Sequence, residues 1–94
     1  MKLQNELHNV ISAFEAVKEK IPAYIEWVKK EGNYQDLETR IAWDLLHATK
    51  GSAWICELYN RYDCNDDHID TLARRALRQV YPAIRREGGE RNNE

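Results

Sequence analysis

The spacing of the apolar residues constrains this chain most, because it is helical almost from end to end. Leu3, Leu7, Val10, Ile11, Phe14 and Val17 follow the i, i+4, i+7, i+8, i+11, i+14 pattern, one stripe of a helix over about residues 2–19. Pro22 then interrupts. A residue with no N–H sits best in the first turn of a new helix, so a second helix is expected there. Tyr24, Ile25, Trp27 and Val28 would form its buried side, and Gly32 is a good stop. Residues 33–36 supply the next start, followed by Leu37, Ile41, Leu45 and Leu46 up to Gly51. Ser52 is placed to cap a short fourth helix carrying Trp54, Ile55, Leu58 and Tyr59. A fifth begins near Asn65 and carries Ile69, Leu72, Ala73, Ala76, Leu77, Val80 and Ile84, with Pro82 expected to kink it or split off a last turn.

No segment alternates with period two for more than a few residues, and β-branched residues are sparse. The expected fold is therefore all-α, a compact bundle of four to five short helices. Ninety-four residues hold one core, so residues 1–87 read as a single domain. The "EGGERNNE" end has no apolar residue, and residues 88–94 read as a disordered tail. The apolar runs are too short to cross a membrane. The polar N-terminus lacks the apolar stretch of an export signal, which makes the cytoplasm the expected location. Two cysteines, Cys56 and Cys64, are too few for a disulfide framework and read as reduced, buried thiols. Trp27, Trp43 and Trp54 fall on three consecutive helices and are expected to help fill one core. Trp43 lies off the Leu37-Ile41-Leu45 stripe of its helix, which leaves a second reading, an exposed anchor at an interface.

The densest collection of reactive side chains is "YDCNDDHID", residues 62–70. Read as a calcium loop from Asp63, it places Asp63, Asn65 and Asp67 well, but His68 stands where glycine is needed and Arg74 where a bidentate glutamate is needed. Read as a zinc site, Cys64 and His68 suit one helical turn, but Cys56 and His47 do not complete the two close pairs of a structural site. A Cys64–His68 nucleophile–base pair has no supporting elbow, metal motif or glycine-rich phosphate loop elsewhere. The simplest reading is a helix start. Asn65 is a preferred N-cap, Asp66, Asp67 and Asp70 favour the positive end of the helix dipole, and Cys64 and Ile69 are spaced for a hydrophobic staple. No catalytic residue, metal or cofactor is expected.

Charge is segregated more than the net of −2 suggests. Residues 57–70 hold five acids against Arg61, whereas residues 71–86 hold Arg74, Arg75, Arg78, Arg85 and Arg86 and no acid. On one continuous helix those arginines would cover about a third of the circumference. Arginine suits planar, bidentate contact with carboxylates and phosphates. Three readings compete: pairing with acids of neighbouring helices, docking to an acidic patch on a partner protein or a second copy, and contact with nucleic-acid phosphates. The leading functional expectation is a small, non-enzymatic protein-binding regulator or inhibitor, of the kind phage and plasmid accessory proteins supply. It would act through Arg74, Arg75, Arg78, Arg85 and Arg86, with Trp43 or Tyr62 as aromatic anchor. The runner-up is a DNA-binding regulator that uses residues 66–86 in a helix-turn-helix-like arrangement, although the groove-reading residues such a helix needs are reduced to Gln79.

Overall fold

The computed structural model describes residues 4–89 apart from 33 and 35. The described chain is all-α: α1 (Gln4–Ala16), α2 (Ile21–Glu31), α3 (Leu37–Thr49), α4 (Gly51–Arg61), α5 (Asp66–Val80) and α6 (Ile84–Gly89), with no strand among the described residues. The first helix is shorter than its apolar stripe suggested. Pro22 offers no N–H to the Lys18 carbonyl, and a continuing helix would drive its ring into that carbonyl. Lys18 instead accepts from the Ile21 N–H, three residues on, and residues Lys18–Lys20 form one 3-10 turn leading directly into α2.

Local chemistry sets most of the other ends. Gly32 closes α2 at φ 67°, a left-handed conformation, with its N–H on the Val28 carbonyl at 3.2 Å. Asp36 caps α3 by accepting from the Glu38 N–H at 3.1 Å and the Thr39 hydroxyl at 2.9 Å. Ser52 does not cap α4. The chain turns from α3 into α4 through Lys50 alone, with Gly51 at φ 85° taking up the reversal. The Ser52 hydroxyl lies 3.5 Å from His47 Nδ1.

α3 stands at the centre and packs against α1, α2, α4, α5 and α6, while α5 packs most extensively on α1 and α3. The core is one cluster. It joins Val10 and Phe14 of α1, Ile21, Ile25 and Val28 of α2, and Leu37, Ile41, Ala42, Leu45 and Leu46 of α3. It continues through Ile55 and Leu58 of α4, Ile69 to Val80 along the inner stripe of α5, and Ile84 of α6. Burying such a stripe contributes about 25 cal/mol per Å² of apolar surface, which outweighs the weak intrinsic stability of helices this short.

Pro82 splits off a last turn, as its missing N–H predicts: Tyr81, at φ −138°, ends α5, and Pro82 and Ala83 form a turn before α6, so residues 66–86 are not one helix. α6 ends at Gly89, and the remainder of the 88–94 segment expected to be a tail lies outside the described residues. The tryptophans do not share a core. Trp43 and Trp54 are half-buried at its margin, and Trp27 is 52% exposed.

Candidate functional site

The acidic cluster resolves into helix starts and cross-links. Asn65 Oδ1 accepts from the His68 N–H at 2.9 Å, and His68 Nδ1 accepts from the Asn65 N–H at 3.1 Å. This is a reciprocal capping box in which histidine takes the place usually held by glutamate or glutamine. Asp66 accepts from the Tyr59 hydroxyl at 2.5 Å, and Asp70 accepts from Trp43 Nε1–H. The Tyr59 phenol is pushed up to about 12, first by its hydrogen bond to Asp66, then by burial and by that carboxylate's charge. Cys64 is buried and its thiol is raised chiefly by burial, while Cys56, expected to be buried as well, is exposed on α4. Among the described residues no group of three or more His, Cys, Asp or Glu side chains could hold a metal ion.

The five arginines separate into distinct environments. Arg74, Arg75 and Arg78 belong to α5 and Arg85 and Arg86 to α6, so the turn at residues 81–83 divides the expected stripe. Arg78 is held by Glu38 of α3, a residue only 7% exposed. Its Nε donates to Oε2 and its Nη2 donates to Oε1 at 3.0 Å, a bidentate pair. That hydrogen bonding raises the Arg78 guanidinium above its ordinary value. Arg74 is half-buried and its Nε has no hydrogen-bond partner among the described residues. Arg75, Arg85 and Arg86 are exposed, and no ion pair among the described residues engages them.

The aromatic residues reverse their expected roles. Trp43, the candidate anchor, is half-buried, bonded through its indole N–H to Asp70 and set 6.1 Å from the His47 ring. Tyr62 is half-buried at the C-terminal end of α4, packed against the core. Trp54 donates to Glu6 at 3.1 Å, and Lys50 stands 5.1 Å above its ring. Trp27, assigned to the core, is the large apolar side chain left open among the described residues. The Arg40 guanidinium lies 5.8 Å from its ring centroid and is itself fixed by Glu31 at 3.0 Å and Asp44 at 3.1 Å. Those two carboxylates, Glu31 first, hold Arg40 above its ordinary value.

No protein-family model, no curated protein and no solved structure matches this chain.

Arg78 meets the first of the three readings, pairing with an acid of a neighbouring helix, but the sequence reading missed its partner Glu38 and the open Trp27. The pair spans forty residues of chain, and no local spacing announces it. The signal for Trp27 was present: the buried residues of α2 are Ile21, Ile25 and Val28, a narrow i, i+4, i+7 stripe that leaves Trp27 outside it.

Proposed function

We propose that this protein is a small, non-enzymatic protein-binding regulator or inhibitor, and that it engages an acidic surface of its partner through Arg75, Arg85 and Arg86. The observation that carries this reading is the asymmetry among the arginines. Arg78 already holds a carboxylate in bidentate fashion, whereas Arg75, Arg85 and Arg86 present the same fork to solvent with no acid among the described residues engaged. Arg78 belongs to the fold and Arg74 is half-buried, so the contact surface is narrower than the five-residue face read from the sequence.

Two further observations support the reading. Burial raises the Cys64 thiol, the opposite of what a nucleophile requires, and His68 Nδ1 is committed to capping α5. In a helix-turn-helix the first residues of the second helix approach the bases. Here that turn carries exposed Asp66 and Asp67, preceded by exposed Asp63, which would meet phosphates with like charge. This favours an acidic protein over DNA.

The test is affinity capture from the native host, comparing the wild-type chain with the Arg75→Glu, Arg85→Glu, Arg86→Glu triple variant, which leaves Arg78 in place. A specific protein captured by the first and lost by the second, at unchanged circular dichroism, supports the proposal. Equal capture by both removes it, and a steeply salt-dependent gel shift with duplex DNA transfers the arginines to the DNA-binding reading.

A further inference from the structure

The α2 surface around Trp27 carries a second inference, independent of the arginine cluster. Trp43 and Trp54 each spend their indole N–H on a carboxylate within the molecule, Asp70 and Glu6. Trp27 has no such acceptor among the described residues, and half of its surface is open. It is nevertheless restrained on one side, because Arg40 lies over part of the ring and is pinned from two directions by Glu31 and Asp44. An exposed side chain restrained in this way loses less conformational entropy when a partner covers it, which is what a binding anchor needs.

Beside the ring lies an open groove of about 440 Å³, lined by Lys20, Ala23, Tyr24 and Trp27 and almost wholly apolar. Its one charged lining residue is a cation. Lys20 and Lys30 are exposed, engage no acid among the described residues, and lie two turns before and one turn after Trp27 on its own side of the helix. Of the neighbouring acids, Glu31 is already paired with Arg40, and the exposed Glu19 and Glu26, next in sequence to Lys20 and Trp27, do not line the groove. An occupant must therefore supply apolar bulk for the groove, an acceptor for the indole N–H, and negative charge for the two lysines.

We infer that this groove binds an acidic amphipathic segment of a partner protein, with leucine-type side chains against Tyr24 and Trp27 and carboxylates at Lys20 and Lys30. The experiment is an NMR titration of the ¹⁵N-labelled full chain with a capped helical glutamate/leucine peptide. Its lysine/leucine and glutamate/alanine counterparts serve as controls. The glutamate/leucine peptide shifts the Trp27 indole N–H and the backbone amides of residues 20–27 saturably, while the internally bonded Trp43 and Trp54 indoles stay in place. Trp27→Ala, a change at an exposed site that leaves the fold intact, abolishes the titration. Lys20→Glu with Lys30→Glu weakens it about fivefold. The Arg75, Arg85, Arg86 reversal leaves it unchanged, which separates this surface from the one proposed above. The inference is overturned by any of four results. These are no shift at Trp27 up to about 1 mM peptide, equal binding of either control, shifts confined to α5 and α6, or the same shifts from raising the protein concentration alone, which would make a second copy the occupant.

Discussion

Removing the Arg78 guanidinium while keeping its apolar stem, as Arg78→Met does, should destabilise the protein by about 2 kcal/mol near neutral pH. The magnitude follows from the geometry. Glu38 is 7% exposed and depends on two charge-assisted hydrogen bonds from one guanidinium. Breaking a buried ion pair costs roughly 3–5 kcal/mol because the surviving charge is stranded. Here the Arg78 side chain is 44% exposed, so water screens one side of the pair and lowers the figure. Glu38 also sits in the first turn of α3, where the helix dipole partly supports a lone carboxylate. Glu38→Gln keeps one acceptor and should cost about 1 kcal/mol. The Glu38→Leu, Arg78→Met double variant strands no charge and should recover most of the loss. Urea unfolding followed by circular dichroism measures all four species, and with a slope of about 1 kcal/mol/M the Arg78→Met midpoint falls by roughly 2 M. An Arg78→Met variant within a few tenths of a kcal/mol of wild type, or a double variant no more stable than Arg78→Met alone, would refute the reasoning. The outcome also governs how binding experiments are designed, since a reversal set that includes Arg78 would confuse lost contact with lost fold.

Three further outcomes are expected. Asn65→Ala removes the acceptor for the His68 N–H and should lower stability by about 1 kcal/mol, whereas Asn65→Asp should keep most of it; thermal melts read both. In the fold the neutral Tyr59 phenol is favoured, so its stabilisation is complete below the ordinary value of 10.0 and is lost as pH rises through about 12. An ultraviolet titration of wild type should accordingly show a late-ionising component that moves to lower pH in Asp66→Asn; no difference between the two would contradict the Tyr59–Asp66 bond. An aromatic disulfide reagent should modify the exposed Cys56 promptly and the buried Cys64 only under denaturing conditions, with the released thiolate counted by absorbance.

How much of this was legible from sequence depended on the range of the interaction. Pro22, Gly32, Asn65 and Pro82 act on their own backbone or within one turn, and each marks the break, stop or start that its chemistry predicts. The start of α4 was misplaced because Gly51 absorbs the reversal by conformation and no capping side chain is needed. The arginine stripe was projected through residues 81–83 as if the helix ran on, although Pro82 had already been recognised as a break. The roles of Trp27 and Trp43 were exchanged for a longer-range reason. Which flank of a helix is covered depends on its neighbours: α5 supplies Asp70 to Trp43, while Trp27 meets the polar edge of α3 at Arg40. Glu38 and Arg78 likewise come together only once α3 and α5 lie side by side.

The extensive packing of α1 on α5 bears on how the chain is made. The first helix and the fifth are separated by nearly fifty residues, so the parts of α1 and α3 that α5 covers stay open until α5 itself has been made. A ribosome-bound nascent chain ending at residue 65 would carry Phe14, Ile41 and Leu45 without Ile69, Leu72 and Leu77 to close over them. The contacts of α5 with α1 and α3 therefore form only after α5 has left the exit tunnel, later than those among α1–α4, and until then the exposed apolar surface is the kind that chaperones bind.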